Sequence, residues 1–226
     1  MKKQRIDGQE SRHKLLLAAA EIFAKKGFRE TTNADICEKA GVNTAAVNYH
    51  FGSKENLYIE AWKYSFEKSV KKYPPDGGVS PDAPMQERLY GRILSFMHRI
   101  ADPETHDVEI MHKEMANPTG LLTEVIEKII EPTQREFGSI FKELLGEGTG
   151  EQQILFCQMS VMSQCFGPML HLRHRRAEPD TPLPGKLPMD FRIEELAAHI
   201  TRFSMIGILG IRNETEQTSG NSQKGI

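Results

Sequence analysis

The 226-residue chain has only three cysteines, Cys37, Cys157 and Cys165. So sparse and odd a set supplies neither a disulfide framework nor the paired CxxC ligands of a zinc site, and reduced thiols in the reducing cytoplasm are the expectation. No apolar run approaches the ~20 residues needed to span a bilayer, and the opening MKKQRIDGQE lacks the apolar stretch of a secretory signal. No membrane association is expected. Catalytic signatures are missing too: there is no nucleophile elbow, no phosphate-cradling glycine loop and no HxxxH or HExxH spacing. The chain is therefore not expected to be an enzyme, nor to carry a cofactor or a metal. Strand-like alternation and internal repeats are also absent.

What is present is apolar periodicity of the helical kind, in a chain whose 38% hydrophobic content can support a buried core. The net charge of -2 conceals an asymmetry: residues 1–54 carry ten Lys or Arg against six Asp or Glu, while the remainder is acidic. A basic N-terminal module that meets nucleic acid, joined to a larger domain with another task, fits that split.

Leu15, Leu16, Ala19, Ile22 and Phe23 mark a first helix from Glu10 to Lys26, with Gly27 at its stop. Thr31 and Thr32 offer an N-cap to a second helix ending at Gly41, Thr44 to His50 form a very short third, and Ser53 caps a fourth. The Pro- and Gly-rich PPDGGVSPDAP (74–84) is a connector. Beyond it lie an amphipathic helix with Leu89, Ile93, Phe96 and Ile100, a helical region near 107–145 interrupted by Pro118 and Pro132, an apolar helix from Gln152 to about Arg173, and a last helix from Asp190 to about Arg212. The expected fold is all-α with about nine helices. It comprises a three-helix helix-turn-helix domain at 8–68, a larger helical ligand-binding and dimerisation domain at 84–212, and a disordered tail at 213–226.

Two helices joined by a glycine turn make a helix-turn-helix, whose second helix fits the major groove while the first crosses the backbone. Val42, Val47 and Phe51 are expected to bury against Leu16, Ile22, Phe23 and Ile36, leaving Thr44, Ala45, Ala46, Asn48, Tyr49 and His50 accessible. Asn forms paired hydrogen bonds with adenine, which makes Asn48 the candidate base reader. Thr32, Asn33, Tyr49, His50 and Lys54 suit phosphate oxygens. On spacing alone, the same stretch also reads as a surface corner.

The run AAEIFAKKGFRETTNADICEKAGVNTAAVNYHFGSKENL resembles the N-terminal DNA-binding domain of the TetR family of bacterial transcriptional repressors. Phe23, Gly27, Phe28, Thr31, Thr32, Ile36, Ala40, Gly41, Val42, the run Tyr49-His50-Phe51 and Ser53 to Glu55 carry the likeness, and Asn48 stands where members usually have a tyrosine. HKEMANPTGLLTEVIEKIIEP, MSVMSQC and IEELAAHITRFSMIGI are similar to the C-terminal domain of a CecR-like subgroup. The resemblance implies a homodimeric repressor on a double-stranded DNA operator, released by a small-molecule effector, with the last two helices of each subunit pairing into a four-helix bundle.

Gln158, Met162, Cys165 and Met169 fall on one helix face, a packing seam for the core or for a dimer, and Ile206 joins the dimer set. Phe96, Met97, His112 and Met115 combine apolar surface with a polar tip, as an effector pocket or ordinary core packing would. His98, Asp102, His106, Glu109 and His112 form a loose cluster that reads first as solvated or capping groups. The basic HLRHRR (171–176) suits the dipole of its own helix end.

Overall fold

The computed structural model describes residues 2–146, 148–177, 180 and 191–222, with side chains described within 8–214. The elements are α1 (Lys2–Glu30), α2 (Asn33–Ala40), α3 (Ala45–Phe51), α4 (Lys54–Lys72), α5 (Met85–Ala101), α6 (His106–Ala116), α7 (Thr123–Val125), a π-helical turn (Ile126–Ile130), α8 (Glu131–Leu145), α9 (Glu151–Ala177) and α10 (Ile193–Ser222). With 123–145 taken as one run, nine helical segments and no strand occur among the described residues, as expected of an all-α chain. None of these helices is long and apolar enough to cross a membrane.

The prolines act where the backbone chemistry requires. Pro118 follows the end of α6, and Pro132 sits in the first turn of α8. Lacking an N–H, Pro132 cannot donate to the carbonyl of Lys128, and the turn just before it is widened to a π-helical one. The Pro-rich EPDTPLPGKLP (178–188) lies outside the described residues except for Asp180. No proline interrupts the chain after Ile193, and α10 runs to Ser222 rather than ending near Arg212. Residues 213–222 of the expected disordered tail are therefore helical, and 223–226 lie outside the described residues.

Two compact units divide the chain: Met1–Lys72 with Glu104–Ile129, and Tyr73–Pro103 with Ile130–Ile226. This differs from the linear division at 8–68 and 84–212, because α6 belongs to the first unit. There α6 packs on α1 and α4, and the core is Leu15, Ala19, Phe23, Ile36, Val47, Leu57, Tyr58, Trp62 and Ile110, all essentially fully buried. The indole of Trp62 donates to the carbonyl of Asp107 at 3.1 Å, and the Tyr58 hydroxyl donates to Glu114 at 2.9 Å. Phe23 meets Tyr58 edge-on with ring centroids 4.9 Å apart.

In the second unit α5 packs against α9 and α10, and α8 joins them. Leu89, Ile93, Met97 and Ile100 turn one stripe of α5 inward; Cys157, Val161, Cys165, Met169 and Arg173 do the same for α9 at four-residue spacing. The connector is held on α5 at a glycine pair: a Cβ at Gly77 would lie 2.2 Å from the carbonyl oxygen of Gly91. Arg173 is buried, and its guanidinium donates to the carbonyls of Ile100, Asp102 and Pro103 while Arg176 donates to that of Ala101. The basic end of α9 thus caps the C-terminus of α5, where free carbonyls and the helix dipole both favour a cation, instead of serving only its own dipole.

Candidate nucleic-acid interface

Helix α2 starts at a capping box. The Asp35 N–H donates to the Thr32 hydroxyl oxygen at 3.1 Å, and the Thr32 N–H donates to the Asp35 carboxylate at 2.9 Å. The Thr32 N–H foremost, with the Thr32 hydroxyl and Lys26 behind it, holds the Asp35 carboxyl below its usual range. Thr32 is exposed; Asn33, half-buried in the first turn, has a buried side-chain oxygen with no hydrogen-bond partner. Gly41 ends the helix in the left-handed region at φ 66°, a conformation favourable only to a residue without a side chain.

The turn also caps α3. Asn43 accepts from the first free N–H of that helix, with the Ala45 N–H 2.8 Å from its side-chain oxygen. Thr44 has helical φ and ψ and makes no capping bond, which leaves its hydroxyl exposed. Asx-turn chemistry could have found Asn43, since Asn two residues before a short helix is its signature.

On α3, Val47 and Phe51 are buried, the former fully, and they fix which face is left outside. Thr44, Ala45, Asn48 and Tyr49 are exposed on that face, while Ala46 and His50 are half-buried. Tyr49 is 83% exposed, far more than an aromatic ring ordinarily tolerates without a partner, and its ring meets that of His50 edge-on at 4.8 Å. The carbonyl of Phe51 accepts from the side-chain amide of Asn56 at 3.1 Å, and Arg12 lies over the Phe51 ring at 4.8 Å. Both tie the short helix to its neighbours.

Lys54, expected to meet phosphate, also has partners inside the protein. Its ammonium donates to the carbonyls of Thr31 at 2.9 Å and Phe28 at 3.1 Å and lies 4.2 Å from the centre of the Phe28 ring. The side chain closes the end of α1 onto the start of α4, so two of its three donors are spent inside the protein.

The other expected clusters are spread over several elements. Met97 is fully buried and Phe96 half-buried in the second unit, the latter edge-on to Phe166 at 5.6 Å. His112 and Met115 are exposed on α6 in the first unit, so neither unit contains all four expected effector residues. Among the expected dimer residues, Ile206 is 68% exposed, Met162 is half-buried, and Gln158 donates to the Gln134 carbonyl at 3.2 Å. Cys165 and Met169 point into the core of the second unit, where burial pushes the Cys165 thiol up to about 12. The outer apolar stripe is instead Leu155, Phe156 and Met159 on α9 and Phe203, Ile206 and Leu209 on α10. Of the loose cluster, His98 stands 3.7 Å from Glu194 and stacks on Tyr73. No group of three or more metal-ligating side chains occurs among the described residues.

Two family models match the chain. Residues 15–61, which span the reading head, match the model described as bacterial regulatory proteins, tetR family. Residues 85–208, more than half the chain, match the C-terminal domain of the HTH-type transcriptional dual regulator CecR. The chain belongs to the TetR family, with a CecR-type C-terminal domain. The TetR-family relatives include CecR of Shigella flexneri, 26% identical over 137 residues, covering 56% of this chain and 61% of that one. The transcriptional regulator TtgR of Pseudomonas putida is 39% identical over 116 residues, half of this chain and 54% of its own. These matches span less than two thirds of the relatives' length. A TetR-like regulator from Rhodococcus has the same fold, with a TM-score of 0.62 at 15% identity over 88% of this chain and 96% of its own.

Proposed function

We propose that this TetR-family protein is a homodimeric repressor. It binds a pseudo-palindromic double-stranded DNA operator in the bacterial cytoplasm and leaves it when a small molecule occupies the CecR-type domain. The observation that carries the DNA-binding half is the outer face of α3. A buried Val47 and Phe51 present Thr44, Ala45, Asn48 and Tyr49 together on a short helix with small and polar groups, the shape and chemistry that a major groove accepts. Thr32 and Asn33, at the start of the preceding helix, supply the N-terminal donors that orient such a helix against phosphates. The two outer apolar stripes of α9 and α10 support a dimer, since exposed contiguous apolar surface of that kind marks an interface.

The operator is recovered by sequencing DNA fragments retained by the full-length protein. An enriched inverted repeat whose half-sites are about one helical turn apart supports the reading. Retention of all fragments alike defeats it. Small molecules are then screened for release of that operator; a protein that no compound releases, yet that binds the repeat, is a constitutive DNA-binding protein.

A further inference from the structure

A cleft of about 250 Å³ lies in the first unit between the last turns of α1 and the end of α6. Four cations line it, Lys25, Lys26, Arg29 and Lys113, against two carboxylates, Glu30 and Glu114. Glu114 is already saturated: it accepts from the Tyr58 hydroxyl, the N–H and hydroxyl of Thr119, and the Gly120 N–H. Lys26 pairs with Asp35 at 3.2 Å, and Arg29 donates to the Pro118 carbonyl at 3.1 Å. The ammonium groups of Lys25 and Lys113 have neither a hydrogen-bond nor an ion-pair partner among the described residues. They come from different helices and border the same space. Gly27 keeps that space open. Its φ of 77° favours glycine, and a Cβ there would already lie 3.5 Å from the Lys113 side chain, so a longer residue would fill the cleft.

We propose that this cleft binds a small phosphate-bearing anion, either free phosphate or a phosphomonoester, held by Lys25 and Lys113 with Lys26 and Arg29 adding to the positive field. Lysine acts on phosphate as a mobile point charge, and two lysines that line one pocket can both swing their ammonium groups onto an anion held there. The volume is at the small end for ligand sites, which suits one phosphoryl group with a modest organic part. Walls from α1 and α6 on opposite sides make a recess, not the open track along which a duplex lays successive phosphates. Its α6 side, Lys113 included, lies within residues 85–208 of the CecR-type domain, while Lys25, Lys26 and Arg29 precede that domain. A bound anion here joins α1 to α6 inside the unit that carries the reading head.

The test is calorimetric titration of the full-length protein at fixed ionic strength with inorganic phosphate and with glucose 6-phosphate, glucose being the neutral control. Saturable one-to-one binding of either anion is expected, weakened at least tenfold in Lys25→Gln/Lys113→Gln and unchanged in Lys68→Gln, another exposed lysine of the same unit. Equal affinity for the two anions identifies free phosphate as sufficient, and tighter glucose 6-phosphate identifies a monoester; both outcomes support the site. Absence of saturable heat from both, or wild-type binding by the double variant, overturns it. If the double variant instead loses affinity for random-sequence duplex while neither anion binds the wild type, the cleft is a DNA-backbone contact and the proposal is wrong. Circular dichroism establishes that the double variant is folded, and Lys25→Gln alone, at an exposed position, gives the same readout should it not be.

Discussion

The Tyr58 hydroxyl donates to Glu114 across 2.9 Å and fastens α4 to α6 inside the first unit. Both residues are buried, and the same carboxylate draws in the backbone of Thr119 and Gly120. Burial foremost, and the charge and hydrogen bond of Glu114 next, hold the Tyr58 phenol well above its ordinary value.

Tyr58→Phe should therefore cost about 1–3 kcal/mol of stability at neutral pH, read by chemical denaturation. The sign of the pH dependence follows from the raised value. The unfolded phenol ionises from about pH 10 while the folded one stays protonated, so this group's contribution is full below that pH and falls above it, by ~1.4 kcal/mol per unit. The gap between wild type and Tyr58→Phe should narrow as pH rises from about 8 to about 11. A gap that stays constant would show that the phenol ionises equally in both states.

Asn48→Ala should weaken operator binding and relax preference at one base pair by ~1–3 kcal/mol, the cost expected if its amide makes the proposed bidentate contact to adenine. Competition between operator and random duplex measures this. Equal losses on both would remove Asn48 from base reading and leave it a backbone contact.

Lys54→Met keeps the stem against Phe28 and deletes the ammonium that caps the end of α1. Melting temperature should fall, consistent with loss of hydrogen bonds to carbonyls worth about 1–3 kcal/mol together, while the slope of log affinity against log salt on DNA stays that of the wild type. A slope smaller by about one would restore Lys54 to the phosphate contacts.

Phe156→Glu combined with Phe203→Glu should give a monomer or insoluble protein by light scattering, since both rings are at least half exposed on the outer stripes. Cys165→Ser should instead lower stability by ~1–3 kcal/mol with no change of assembly, because that position lies in the subunit core. A wild-type monomer at micromolar concentration would end the dimer reading.

How much of this was legible in the residues depends on the range of the interaction. Thr32, Asp35 and Gly41 announce their helix through contacts only a few positions apart, and both its ends fall where the sequence places them. Lys54 reads locally as a cation at a helix start, but its acceptors are 23 and 26 residues away, and no short spacing encodes them. The same holds for α6, which joins the first unit through pairs such as Trp62 with Asp107, separated by 45 positions. Helix α9 defeats a one-face reading for another reason: it is apolar on two faces, and periodicity cannot say which of the Cys165 and Phe156 stripes faces inward. The choice depends on α5, α8 and α10 taken together.

Because α6 completes the core that α1 and α4 begin, the reading head is not a portable cassette. A chimera joining residues 1–72 to a foreign body would strand the Trp62 indole and the Tyr58 hydroxyl without Asp107 and Glu114, and would bare the apolar surface that Ile110 covers. Swapping operator specificity between such proteins calls for a graft in two pieces, the four N-terminal helices and the stretch from Glu104 to Ile129, or for exchange of the α3 surface alone.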